Sequence, residues 1–383
     1  MVQAITPEML YHHLQKGDAL TIVDSRYGED FEAWHLDGAI NVPYKPAADE
    51  IDATLLESIP ADAAHLVCIC AKGRASNAVA EAAEDRIDGK VSVVQDGMEG
   101  WSRVYDVIAV PTAAPGVELY QFQRIAKGCL SYLVCDVESH EAVAVDPTRH
   151  IEEFQMVAED DEMSITHVVD THLHADHISG GRELANVTGA SYHLPEASGD
   201  RDVSFSYDPL GHTAVIDLDG ISLKAIHTPG HTTDSTSLLV NAEALLTGDT
   251  VFVDSVGRTE LEFGEKDAKR GARELFRSIS RSILTLPDAV TVLPGHQRVP
   301  DAAAMMVGAG TGIQTTVGSL RRELPLLAET EDDFVERLLT DDTEKPPNFD
   351  RVIEINAGRD DPDGDAEATT LELGPNRCAA AAD

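Results

Sequence analysis

The segment Thr171-His172-Leu173-His174-Ala175-Asp176-His177 packs three imidazoles and a carboxylate into six consecutive residues, directly after the strand-like run Ile165 to Asp170. A turn at a strand end can aim such side chains into one space, which is how a transition-metal site is built. Further donors follow at the same kind of place. His231 comes in His227-Thr-Pro-Gly-His-Thr232, Asp249 in Thr247-Gly-Asp-Thr250, and His296 in Leu293-Pro-Gly-His296. Each follows an apolar, β-prone run: Leu223–Ile226, Ala244–Leu246 and Val290–Leu293. Surface or capping histidines would not recur at successive strand ends, so the pattern reads as a metal centre.

A second reactive group lies nearer the N-terminus. Cys70 follows the apolar run Leu66–Ile69 and opens Cys70-Ala-Lys-Gly-Arg-Ala-Ser76, which leads into the helix-like stretch Ala75–Arg86. A thiol placed there meets unpaired backbone N–H groups and the positive end of a helix dipole, which favour a thiolate and an adjacent anion. Lys72 and Arg74 add positive charge, and Gly73 allows a tight turn. This arrangement suits a nucleophilic thiolate that carries an anionic sulfur group. Cys68, one alternation earlier, is expected to face the core, as are Cys129 and Cys135.

The elements that must hold these groups are legible as patterns. Thr6-Pro7-Glu8 reads as an N-cap, an N1 proline and a first-turn acid, followed by Leu10 and Leu14 on one helical face. Leu20–Val23, Leu66–Ile69 and Val91–Val94 read as buried strands that alternate with helices, which predicts a small parallel α/β sheet over residues 1–108. Residues 109–116, with two prolines and no periodicity, read as a linker. A second domain is expected over 117–300, beginning with strands Leu130–Cys135 and Ala142–Val145. Residues 301–383 read as a helical extension and tail packing on that domain. Thr330 to Asp333 forms a capping-box pattern ahead of Phe334, Val335, Leu338 and Leu339, and the Asp-rich stretch 359–370 reads as a mobile loop.

Composition excludes several classes. The 383 residues suggest two domains or more, and no apolar run approaches the length of a membrane span. The N-terminus lacks a basic region followed by an apolar stretch, so a cytoplasmic protein is expected. Five cysteines in a chain this large do not form a disulfide framework. The formal net charge is −39, spread along the chain. Without a basic stripe to neutralise phosphates, nucleic-acid binding is disfavoured. A dispersed acidic excess resembles the surfaces of proteins from salt-loving, haloarchaeal hosts. In molar salt the Debye length of about 3 Å makes such self-repulsion tolerable.

The residues quoted from 171–296 resemble the metallo-β-lactamase superfamily, through its His-x-His-x-Asp-His, Gly-His, Gly-Asp and final Gly-His elements in order. The resemblance implies an αββα sandwich with the metal at one edge. It leaves the reaction open, because the fold hosts many. A hydrolase would hold one zinc ion with His172, His174 and His231 and a second with Asp176, His177 and His296, bridged by Asp249. An oxygenase needs one redox iron on two histidines and a carboxylate, which His172, His231 and Asp249 can provide.

The N-terminal part resembles a rhodanese domain. Asp24-Ser-Arg26 matches its early Asp-x-Arg, the segment Glu32 to Pro43 its Gly-His-Ile-x-Gly-Ala stretch with Trp34 in place of the glycine, and Gln95 to Trp101 its closing Gly-Gly-x-x-x-Trp. The resemblance implies that Cys70 becomes a persulfide and passes sulfane sulfur to an acceptor. Arginine stands one place earlier than in many family members, at Arg74 with Ala75 following, which bears on thiosulfate affinity.

Gly257-Arg-Thr-Glu-Leu261 resembles the Gly-Arg-Thr-Asp-Phe signature of persulfide dioxygenases of the ethylmalonic-encephalopathy type, and residues 171–180 agree with that family's first motif throughout. Rhodanese fusions are known there. The resemblance implies one Fe(II) per chain on His172, His231 and Asp249, with His174, His177 and His296 in supporting positions. Asp176 would hydrogen-bond water or a persulfide intermediate, and Arg258 would pair with a substrate carboxylate. The implied reaction joins a small thiol persulfide, of glutathione or γ-glutamylcysteine type, to O2 and water and releases thiol and sulfite. Cys70 would then exchange sulfur with sulfite and thiosulfate. Dimers or tetramers are common in the family. The alternatives are a dizinc thioester hydrolase resembling glyoxalase II and a sulfur-carrier module with a structural metal.

Overall fold

The computed structural model describes residues 1–46, 51, 54–112, 116–297, 310–340 and 344–380. In the first domain the apolar runs form a five-stranded, all-parallel sheet in the order Gln3–Ile5, Lys90–Val94, His65–Ile69, Thr21–Asp24 and Ile40–Asn41. Thr6 caps helix Pro7–Gln15, its side chain accepting from Met9 N at 3.2 Å, as the Thr-Pro-Glu pattern predicts. Helix Arg74–Glu84 returns from the Cys70 loop and buries Val79, Ala80 and Ala83 against Val23, Leu66 and Val93.

The second domain stacks two sheets. One has seven strands in the order Asp208–Leu210, Ser191–Pro195, Ser164–Val169, Glu141–Val145, Cys129–Asp136, Val117–Arg124 and Tyr105–Val110. The other has six: Val215–Leu218, Ile221–His227, Thr236–Val240, Ala244–Gly248, Thr291–Pro294 and Thr315–Thr316. Their facing sides form one core, in which Val134, Val143, Val145 and Val169 meet Leu223, Leu238, Leu246 and Leu293. Alternate residues point outward. Ala142 and Ala144 join Phe154 of helix Glu152–Asp160 and Leu184 of helix Gly181–Thr188. Leu245 and Val292 meet Leu275 of helix Glu260–Ser278 and Phe334 of helix Glu331–Thr340. A period of two with both faces covered explains why these strands read as unbroken apolar runs. The result is the expected αββα sandwich behind a parallel α/β domain.

Three expectations about organisation need correction. Residues 105–110, assigned to the end of the first domain (105–108) and the start of a linker (109–110), form an edge strand of the second domain, paired antiparallel from Tyr105↔Arg124 to Val110↔Leu119. The junction therefore falls near residue 104; the small-residue segment 113–115 lies outside the described residues. Asp365–Glu372, expected as part of a mobile loop, is a helix. Arg149 and Arg103 bind Asp365 at its first turn, while Ala368 and Leu371 pack on Ile178 and Ile355. Paired acids and an apolar face order a segment that composition alone marks as solvated. Finally, the C-terminal segment packs on both domains rather than on the second only. Leu373 joins the cluster of Trp34, Trp101 and Ile125. Among the described residues no helix is long and apolar enough to cross a membrane.

Candidate active sites

The metal-type residues converge where the strands of both sheets end. Ser164–Val169 delivers the 170–177 turn, Ile221–His227 the His231 loop, Ala244–Gly248 Asp249, and Thr291–Pro294 His296. Thr236 N donates to Thr171 O at 2.9 Å and closes the two sheets together at this edge. Two glycines are required here. Gly248 sits at φ +47°, and a side chain on it would collide with Thr171; a Cβ on Gly257 would enter the Asp249 carbonyl and press on His231. All seven donor residues are at most 2% exposed.

His172, His231 and Asp249 form a group whose ligand atoms lie within 4.8 Å of one another. Asp249 Oδ2 is 3.5 Å from His231 Nε2 and 3.9 Å from His172 Nε2, and none of these three atoms has a hydrogen-bond partner. The tautomers follow from the surroundings. His231 Nδ1 lies 2.6 Å from the Arg258 carbonyl, which only accepts, so Nδ1 carries the proton. His172 Nδ1 faces Thr171 Oγ1 at 3.0 Å, and that hydroxyl already gives its proton to Asp146 Oδ2 at 2.9 Å, so His172 Nδ1 must donate to it. In the neutral rings that ligate metals both Nε2 atoms therefore present lone pairs, facing a carboxylate oxygen. Three buried acceptors without a donor are costly unless a cation joins them. The residues present thus fit a metal.

The second group has the opposite character. His296 bridges two carboxylates, with Nδ1 2.5 Å from Asp249 Oδ1 and Nε2 3.0 Å from Asp176 Oδ2. His177 Nδ1 lies 3.1 Å from Asp176 Oδ1, and Cys129 Sγ donates to Asp176 Oδ2 at 3.3 Å. Burial alone would lower the His296 pKa, but the Asp176 and Asp249 carboxylates outweigh it and hold it well above the usual histidine range. The ligand atoms of Cys129, Asp176, His177 and His296 also lie within 4.8 Å of one another, but here most of them already face one another across hydrogen bonds. A second metal would have to displace these bonds.

The flanking residues divide in the same way. His174 Nε2 faces Asp146 Oδ1 at 3.2 Å, which fixes the ring, while its Nδ1 is unpartnered, as is His177 Nε2. Cys129, expected in the core, faces the site instead: the register that sends Leu130 inward between the sheets brings Cys129 into a bridge with His296. Asp176, expected to contact water or substrate, spends its oxygens on His177, His296 and Cys129 and acts as their common anchor. Arg258 also departs from expectation. It is 4% exposed, and its guanidinium donates to the Glu260 carboxylate and to the carbonyls of Glu344 and Arg377. It clamps the C-terminal tail, so no free fork remains for a substrate carboxylate. What it contributes to the site is its backbone oxygen on His231.

Sequence reasoning missed Asp146, which fixes Thr171 and His174, and Asp234, which accepts from Leu173 N at 3.1 Å and pairs with Arg201 at 2.7 Å. It also missed the tail. Residues 379 and 257 form an antiparallel bridge, and Cys378 comes within 4.8 Å of Asp249 and His296. An Asp closing the strand Ala142–Val145 was a findable signal, since strand ends carry every other site residue. A tail crossing from the far end of the chain had no such mark.

In the first domain Cys70 directly follows strand His65–Ile69 and is 4% exposed, with Sγ 3.3 Å from Ser76 Oγ. Gly73 turns the loop at φ +78° into helix Arg74–Glu84. Arg74 is exposed at the helix start, and Lys72 is exposed and paired with Glu99 at 2.8 Å. Asp24 and Arg26 pair at 2.7 Å, and Arg26 donates to Trp34 O, so this motif is a buried strut. Cys68 is fully buried, as expected.

Comparison with known proteins follows the same division. Residues 124–296 match the metallo-beta-lactamase superfamily and residues 6–104 the rhodanese-like domain. An uncharacterised protein of Mycobacterium leprae is 30% identical over 227 residues, spanning 52% of this chain and 93% of that one. The mitochondrial persulfide dioxygenase ETHE1 of Mus musculus is 30% identical over 177 residues, 44% of this chain and 65% of its own. A hydroxyacylglutathione hydrolase of Polaromonas sp. is 29% identical over 171 residues, 44% and 62%. The crystal structure of ETHE1 from Myxococcus xanthus superposes with a TM-score of 0.54 at 27% identity, covering 63% of this chain and 99% of that one.

Proposed function

The chain belongs to the metallo-β-lactamase superfamily and carries a rhodanese-like domain at its N-terminus, and on that footing we propose that it is an iron-dependent persulfide dioxygenase coupled to sulfur transfer. The reaction is RSSH + O2 + H2O → RSH + sulfite + 2 H⁺. The observation that carries this reading is the contrast between the two groups of donors. Three unpartnered atoms, His172 Nε2, His231 Nε2 and Asp249 Oδ2, ask for one cation, whereas in the adjacent cluster His296 already has a carboxylate on each ring nitrogen. Two histidines and one carboxylate are the ligand set of non-haem iron(II) oxygenases; His172, His231 and Asp249 would hold such an ion, which would supply activation of O2 toward a thiol persulfide.

The chain's own residues do the rest. The Arg258 carbonyl and the Thr171 hydroxyl hold the two imidazoles in the Nε2-ligating tautomer. His296, protonated on both nitrogens between Asp176 and Asp249, keeps a positive charge beside the Asp249 ligand. The Cys70 thiolate takes sulfane sulfur from a donor such as thiosulfate, releasing sulfite, and hands it to a small thiol as the persulfide. In reverse, sulfite accepts sulfur to give thiosulfate. The thiol is of glutathione or γ-glutamylcysteine type.

A dizinc thioester hydrolase is the second reading. It is favoured by the unpartnered His174 Nδ1 and His177 Nε2, two further buried ring nitrogens that zinc would ligate. Anaerobically purified protein distinguishes the two. About one iron per chain with persulfide-dependent O2 uptake supports the dioxygenase; two zinc ions with thioester cleavage refute it.

A further inference from the structure

The turn bearing His172, His174, Asp176 and His177 has no regular secondary structure. Such a loop keeps a ligand geometry only if its backbone is fixed from outside. The C-terminal helices supply that fixation. Asn356, the last residue of helix Phe349–Asn356, is 8% exposed and uses its whole amide on the turn. Its Nδ2 donates to His174 O at 2.9 Å and to His177 O at 2.8 Å, and its Oδ1 accepts from Ser179 N at 2.9 Å. Glu372, the last residue of helix Asp365–Glu372, is 1% exposed and accepts from Ile178 N at 2.7 Å.

Glu372 is itself held. Its second oxygen accepts from Arg149 Nε at 2.7 Å and Arg124 at 3.2 Å. Arg124 Nε reaches back to Ser102 O in the first domain at 2.9 Å. Ile178 fills the apolar space between Ile355, Ala368 and Leu371. Two carbonyls and two N–H groups in the turn that follows His172 are thus tied to side chains more than 170 residues away in sequence.

We infer that Asn356 and Glu372 are positioning residues for the metal centre, acting through the backbone of residues 174–179. The inference rests on the metal reading above and is independent of which reaction the metal serves. It makes the C-terminal helices part of the site rather than an appendage to the domain.

The test uses the full-length chain, Co(II) as the probe and chelator competition under nitrogen. The variants are Asn356→Asp and Glu372→Gln. Aspartate keeps the size of Asn356 but offers oxygens to the His174 and His177 carbonyls. Glutamine at 372, whichever way its amide turns, leaves either Ile178 N or the arginines without an acceptor. Three quantities are read: the Co(II) Kd, the visible ligand-field spectrum, and the melting temperature. We expect Asn356→Asp to weaken Co(II) binding by about 10–100-fold, the range for loss of an outer-sphere partner, and to shift the spectrum. Glu372→Gln is expected to do the same to a smaller extent, and it decides the matter if Asn356→Asp does not fold. A lower melting temperature with unchanged Kd and spectrum would show a role in the fold alone and overturn the inference. Failure of the unaltered chain to bind Co(II) would overturn the metal reading and this inference with it.

Discussion

Replacing Asp249 by Asn tests the physical argument for the metal at its weakest point. Asparagine keeps the side-chain size and an oxygen for His296 Nδ1, which lies 2.5 Å from Asp249 Oδ1. It puts an NH2 group where Oδ2 now stands, facing His231 Nε2 at 3.5 Å and His172 Nε2 at 3.9 Å. The amide donates to the lone pairs that a cation would otherwise satisfy. The variant is therefore expected to fold, to melt at or above the metal-free unaltered chain, and to bind no metal. The ligands come from three separate strand ends, so the unfolded chain has no site and binding stabilises the native state alone. With free metal at about 100 times its Kd the native state gains about 2.7 kcal/mol. For a domain of this size that raises Tm by roughly 5–10 °C. Calorimetry with and without chelator is the assay. Chelator should lower the Tm of the unaltered chain by that amount and leave Asp249→Asn unmoved. An equal chelator shift in both proteins would refute the assignment of Asp249.

Other outcomes follow from the same structure. Cys70→Ser should abolish transfer of sulfur from thiosulfate to a thiol while leaving O2 uptake on pre-formed persulfide intact; retained transfer would remove Cys70 from its role. Burial first, then the Arg124 and Arg149 guanidiniums, push His150 down to about 3. The unfolded chain therefore takes up a proton there between about pH 6.5 and 3 that the native chain does not, and stability falls as pH drops through that window. His150→Gln should flatten the acid side of the stability profile, and an unchanged profile would contradict the argument. With a net charge of −39, the chain should melt at higher temperature in molar than in low salt, where screening over about 3 Å removes self-repulsion; equal melting temperatures would sink the salt-adapted reading.

The strand ends that carry chemistry were legible because apolar runs are bounded by polar donors, a local signal. Leu66–Ile69 and Val91–Val94 lie within observed strands, and Val290–Leu293 overlaps the strand Thr291–Pro294. The Thr330–Asp333 capping pattern also appears, with Asp333 N bound to Thr330 Oγ1 at 3.3 Å. What the sequence hid depends on partners far along the chain. Arg258 sits in a motif that suggests a substrate fork, yet its guanidinium is consumed by Glu260 and by the backbone at 344 and 377. Asp365 reads as part of an acidic loop until Arg149 and Arg103 are placed beside it. Tyr105–Val110 reads as the end of one domain because only Val117–Arg124, across the junction, reveals it as a strand of the next.

The central proposal is that the chain oxidises a thiol persulfide with O2, at one redox metal that His172, His231 and Asp249 would hold. It is tested most directly by metal analysis of anaerobically purified protein together with O2 consumption. The account predicts about one iron per chain and O2 uptake that depends on thiol persulfide and yields sulfite. Two zinc ions per chain, no O2 uptake and cleavage of a glutathione thioester would contradict it.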